Sequence, residues 1–150
     1  MAASVVCAVA DSQSAADVVR VAVWMKEGLE LRLVIVHVVA VAPMVGLTSS
    51  SYLYSYPSDP ERSREAGEAL IEKIAGRARN VSGAELPVLI GDPAESVLTL
   101  AEEEQAQLIV VGSRGRGALK TALLGSVSST LTTRAPCPVV VVPPRATIEP

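Results

Sequence analysis

The run Leu108-Ile109-Val110-Val111-Gly112-Ser113-Arg114-Gly115-Arg116-Gly117 decides how the chain is read. Four aliphatic residues pass directly into three glycines within six positions. An apolar run without polar alternation suits a strand buried on both faces. Glycines at its carboxyl end let the chain turn sharply and let a ligand approach the backbone. Upstream, Ala94, Val97, Leu98 and Ala101 repeat at helical spacing behind a Gly91-Asp92-Pro93 break. Downstream, Leu124, Val127 and Leu131 mark another helix. Pro138–Val142 gives another strand, ended by Pro143-Pro144.

The same alternation extends to the amino terminus. Ser4–Ala10 reads as a strand, followed by the turn and helix-cap chemistry of Asp11-Ser12-Gln13-Ser14. Ala15, Val19, Ala22 and Val23 then carry a helix, with Gly28 as its expected stop. Leu31–Val39 is a second strand. Ala66, Leu70, Ile74 and Ala78 form a helical stripe after Pro60, and Glu85–Ile90 is a weaker third strand. Alternating strands and helices predict an α/β fold, a five-stranded parallel sheet with helices on both faces and right-handed crossovers. Ligands of such sheets bind beyond the carboxyl ends of the strands, where the winding reverses. The 150 residues fit one domain, with 143–150 as a short tail. The connection Ala40–Pro60 is long for a compact domain and carries Tyr52, Tyr54 and Tyr56. It reads either as a disordered insertion or as a lid over the site. The alternating tyrosines would also suit a short edge strand.

Composition narrows the function classes. Hydrophobic residues are 49% and charged residues 19%, which excludes a disordered chain. Valine and alanine together number 44, so the core is built from small side chains. A net charge of −3 argues against a nucleic-acid partner. The most apolar stretch, Leu33–Leu47, is interrupted by His37, Pro43 and Gly46 and is too short to span a membrane. No basic region precedes the first apolar run, so a signal peptide is not expected, and the reading is a soluble, cytoplasmic protein. Cys7 and Cys137 are too few for a disulfide scaffold and read as small buried hydrophobes. Glu102-Glu103-Glu104 reads as a solvated helix face, and Trp24 as partly buried packing.

The glycine-rich segment carries the chemistry. Backbone N–H groups in such a loop make an anion-binding nest. Arg114, Arg116 and Lys120 add positive charge beside it. Gly125-Ser126 opens the last helix, and a helix amino terminus favours phosphate through its unpaired N–H groups and dipole. Two phosphate-binding elements in one segment point to a nucleotide with several phosphates. The alternative is a flexible loop with solvated arginines and a glycine at a helix kink. The chain has no Gly-x-x-x-x-Gly-Lys phosphate loop. Its first strand–helix turn lacks the glycines of a dinucleotide fingerprint. The single histidine, His37, lies in an apolar strand. It reads as a satisfied core or strand-end residue rather than the base of a hydrolase triad.

Gly112-x-x-Gly115, nine residues, then Gly125-Ser126, resembles the nucleotide-binding motif of the universal stress protein family. Leu108–Ser128 with Ala135-Pro136-Cys137-Pro138 and the following valines is similar to that family, as is Gly91-Asp92-Pro93-Ala94-Glu95. The resemblance implies a Rossmann-like fold of the adenine nucleotide alpha hydrolase-like kind and the family's ATP-binding branch. It implies Asp11 at the ribose, the Val38 backbone at the adenine and Gly112 along the ribose. Gly115, Gly125 and Ser126 would cradle the phosphates, with Val127 and Ser128 closing that side. Ala10, Val111 and Arg114 complete the implied nucleotide-binding set. Mg²⁺ through Ser126 and a homodimer through Pro138–Val142 are implied as well. The chain departs from the family where Ser12 follows Asp11 and where Gln107 precedes Leu108. The expected function is an ATP-binding regulator in stress physiology without a catalytic residue. The alternatives are a slow ATPase and a nucleotide-free dimeric interaction module.

Overall fold

The computed structural model describes residues 2–45, 52–55, 57–113 and 124–144, with the side chains of 42–45 and 52–55 left aside. The chain alternates through β1 (Ser4–Val9), α1 (Ala15–Leu29) and β2 (Arg32–Ala40), then a hairpin of β3 (Ala42–Val45) and β4 (Tyr52–Ser55). It continues with α2 (Pro60–Gly76), β5 (Val88–Gly91), α3 (Pro93–Glu103), β6 (Ala106–Gly112), α4 (Ser126–Arg134) and β7 (Val139–Val142). Five strands form one parallel sheet in the order β5-β2-β1-β6-β7.

The strand sequences dictate two cores. Side chains alternate across a sheet, so Val5, Cys7 and Val9 face one side and Val6 and Ala8 the other. The first side packs Ile35 and Val110 against α1 and α2. The second packs Val34, Val36 and Ile109 against α3 and Leu131 of α4. Helices therefore cover both faces, as the alternation predicts. Residues such as Ile35 and Ile109 are wholly buried, which explains why these strands show no polar alternation.

Helix starts follow local chemistry. Asp59 accepts from the Arg62 N–H at 3.1 Å, and Asp92 from the Glu95 N–H at 2.9 Å, with proline at the first turn of both helices. The stop of α1 is not Gly28. The helix runs on to Leu29, and Glu30 takes the left-handed conformation at φ 55°. The Leu31 N–H then donates to Lys26 O at 2.9 Å, which satisfies an end carbonyl without glycine. The third strand is shorter than its apolar run. Pro87 has no N–H, so Glu85 makes only an isolated bridge to Val34 before β5 begins at Val88.

The long connection Ala40–Pro60 holds the antiparallel β3–β4 hairpin, with Val45 opposite Tyr52. Tyr52 and Tyr54 lie in a strand, but that strand pairs within its own two-stranded sheet and not on the main one. Tyr56, and residues 145–150 of the expected tail, lie outside the described residues. Trp24 stays 50% exposed rather than packing inward. Glu104 leaves the expected solvated face: it is half-buried, 3.0 Å from an Arg32 guanidinium nitrogen.

The two edges of the sheet differ. Ile109 N–H donates to Pro138 O and Ser113 N–H to Val142 O, so even-numbered residues of β7 face β6. The backbone groups of Val139 and Val141 therefore point away from the sheet. On β5, Pro87 O and Gly91 O accept from β2 residues or the residue just beyond, so Val88 faces outward. There the Arg64 guanidinium of α2 donates to Val88 O at 3.1 Å. The β5 edge is covered at that point by a charged side chain, as edge strands are commonly blunted.

Candidate functional site

The order β5-β2-β1-β6-β7 places the reversal of winding between β1 and β6. Crossovers through α1 and α2 build outward from β1 on one side, and β6 and β7 lie on the other. Beyond these strand ends opens a cleft of about 820 Å³. Its position is the one that parallel α/β sheets use for ligands.

The cleft gathers most of the residues singled out in the sequence. Ala10 and Asp11 border it at the end of β1, and Val111 and Gly112 at the end of β6. Gly125, Ser126, Val127 and Ser128 enter from the start of α4. Val38 lines it from β2. Ile35 and His37 N–H groups donate toward β5, so the backbone groups of Val38 face the β1 side. The last β1–β2 pair is Val9 with His37, which leaves Val38 at the crevice. Arg114 and Gly115, with Arg116, Gly117 and Lys120, lie outside the described residues.

The start of α4 differs from those of α2 and α3. Its cap residue is Gly125, in extended conformation, with no side-chain hydrogen bond to the first turn. The first N–H groups of a helix have no partner within it. At α2 and α3 an aspartate meets one of them, whereas at α4 the cap residue has no side chain to do so. Glycine here also removes the side chain that would stand in a ligand's way.

Ser113 ties this segment together. Its N–H donates to Val142 O at 2.9 Å, while its carbonyl accepts from the Gly125 N–H at 2.6 Å. The Ser128 hydroxyl, 1% exposed, lies 3.1 Å from the same carbonyl and 3.0 Å from Gly125 O. The end of β6 and the start of α4 are thus joined directly. Ser128 engages its hydroxyl with the main chain.

Two further residues of the wall bear on its chemistry and packing. His37 borders the cleft, and its Nδ1 lies 2.9 Å from Val9 O. The expectation of a satisfied strand-end histidine therefore describes only half of its position. Gly67 of α2 also borders the cleft, and a Cβ built there would stand 2.8 Å from Val88 Cγ1. A glycine inside a helical stripe is the signal for such a close approach of helix to sheet. Cys7 lies buried in the first core, where desolvation pushes its thiol well above the usual range. Cys137 is only half-buried, with its thiol raised for the same reason. Neither cysteine lines the cleft. Among the described residues no group of three or more His, Cys, Asp or Glu could hold a metal ion. No helix among them is long and apolar enough to cross a membrane.

Known proteins are similar to this chain in sequence and in fold. The universal stress protein YxiE of Bacillus subtilis is 34% identical over 142 residues, covering 90% of this chain and 95% of its own. The chain spans only 62% and 54% of the length of two other curated relatives that it matches. Among solved structures, a universal stress protein in complex with cAMP superposes with a TM-score of 0.65 at 23% identity, covering 94% of this chain and 96% of that one. The universal stress protein of Archaeoglobus fulgidus in complex with dAMP gives 0.58 at 23% identity, covering 93% and 97%. Both share the fold of the five-stranded sheet described above. The model of the universal stress protein family matches residues 1–143, and the chain belongs to that family.

Proposed function

We propose that this chain binds an adenine nucleotide with several phosphates, ATP foremost, and acts as a nucleotide-dependent regulator rather than a catalyst. The observation that carries the reading is the uncapped first turn of α4, opening on a cleft at the reversal point of a parallel sheet. The cAMP and dAMP complexes of similar folds support the adenine ring and one phosphate. The further phosphates rest on Gly112-x-x-Gly115 and its arginines. In this reading Asp11 meets the ribose, Val38 the base, and Gly115, Gly125 and Ser126 the phosphates. Mg²⁺ would be held by phosphate oxygens with the Ser126 hydroxyl as a protein ligand. Catalysed phosphoryl transfer needs a group that orients the nucleophile as well as charge stabilisation. Asp11 and His37 are the titratable side chains among the described residues of the cleft wall, and the latter is tied to Val9 O.

The assembly proposed is a homodimer through β7. The support is the asymmetry of the sheet among the described residues, where Arg64 donates to one edge and the other is a run of four valines. A cytoplasmic role in stress physiology is part of the same reading, and family membership supports its stress part.

Thermal unfolding with and without ATP–Mg²⁺ tests the site. Ligand at a hundred times its Kd stabilises the folded state by about 2.7 kcal/mol. The expected rise in Tm is about 5–10 °C. Gly125→Val and Gly115→Val should abolish the rise while leaving the ligand-free Tm unchanged. An undiminished shift in both variants refutes the assignment. ADP formation far above that of Gly125→Val would instead identify a hydrolase.

A further inference from the structure

The histidine at the cleft wall has its proton placed by the backbone. A carbonyl oxygen can only accept, so the 2.9 Å contact between His37 Nδ1 and Val9 O requires the proton on Nδ1. The neutral ring then carries a lone pair on Nε2. Two parts of the ring are already covered. Nδ1 rests against the end of β1, and Cδ2 lies 3.4 Å from where a Gly67 Cβ would stand, under the backbone of α2. His37 is nevertheless only half-buried and borders the cleft. The Cε1–Nε2 edge is the part that neither contact covers, an acceptor on a wall that Val39, Ser63, Ala66 and Leu70 also line.

We propose that His37 selects the base of the bound nucleotide, its Nε2 accepting a hydrogen bond from an exocyclic amino group. This rests on the nucleotide reading above and names the residue that sets its specificity. Adenine presents an amino group at position 6, and hypoxanthine presents a carbonyl at the same place. While the ring is neutral, two acceptors facing each other leave both unpaired, so above the imidazole titration range the site disfavours the keto base. The geometry allows one ligand to reach both ends of the cleft. β2, which carries His37, and β6, which leads into the glycine segment, are two strand spacings apart, about 10 Å. A ribose and its first phosphate bridge such a gap.

The chain contains one histidine, so its imidazole nitrogens can be observed without ambiguity by ¹⁵N NMR of histidine-labelled protein. The expected spectrum is a neutral ring protonated on Nδ1. Its Nε2 resonance moves upfield on saturation with ATP and stays in place with ITP. In parallel, calorimetry should give ATP an affinity about tenfold above that of ITP. His37→Leu should bring that ratio close to one, and His37→Gln, whose side-chain oxygen accepts, should restore part of it. A neutral ring protonated on Nε2 overturns the proposal. So does an Nε2 resonance that bound ATP leaves unmoved, or a ratio that His37→Leu leaves unchanged. If neither triphosphate binds, the nucleotide reading itself fails and the assignment to His37 fails with it.

Discussion

Ser113 and Ser128 show how single residues join the end of β6 to the start of α4. Replacing Ser128 by alanine removes a buried hydroxyl from two carbonyls. The loss should be about 1–2 kcal/mol. Urea unfolding would show it as a lower midpoint with an unchanged slope, and ATP affinity should fall in the same variant. A variant with wild-type midpoint and affinity would show that the clasp contributes nothing. At this scale the sequence was legible where backbone geometry does the chemistry. Gly125 announces a helix start without a side-chain cap because glycine has no side chain to supply one, whereas Ser14 could cap α1 and does not. The direction of a serine hydroxyl is not written in its neighbours, so the turn of Ser128 back onto the main chain emerges only from the fold. His37 was read as a satisfied histidine, and its partner Val9 bears that out. Its place on the cleft wall depends on where two strands end, which is a tertiary fact.

Among the elements, α2 is the one whose position depends on a single missing side chain. A Gly67→Ala methyl would stand 2.8 Å from Val88 Cγ1, on a stiff β-branched neighbour. Overpacking of this kind costs about 1–3 kcal/mol, more than the helix gains from alanine. Gly28, inside α1, meets nothing within 4 Å of a built Cβ. Gly28→Ala should therefore stabilise by about 0.5–1 kcal/mol, where Gly67→Ala destabilises. Thermal melts of the two variants check the sign directly, and equal shifts would contradict the packing argument. The element order was readable because each apolar run is strongly periodic or continuous. Boundaries failed where backbone conformation overrides composition. Glu30 adopts the left-handed cap that glycine was expected to supply, and Pro87 shortens β5 from within. The tyrosine-bearing connection contained a strand, but its partner came from the same connection, which alternation alone cannot reveal.

For the molecule as a whole, the proposed dimer makes a prediction about one backbone group. The N–H of Val141 points out of the sheet, so Val141→Pro removes an outward donor without breaking the ladder to β6. Sedimentation should show a monomer for this variant, and a dimer that persists would rule out pairing through β7. The parallel sheet with covered faces was foreseeable from 44 valines and alanines arranged in alternating blocks. Which edge stays bare was not, because it depends on Arg64 reaching across to Val88 O.

That reach sets the valence of the sheet. A sheet with two bare edges can add copies at both sides and grow without end. One bare edge can be used once by each copy, and a two-fold pairing then exhausts it. In the proposed dimer the guanidinium on β5 would act as a chain terminator, and strand pairing on β7 would close at two copies instead of running on into a fibre.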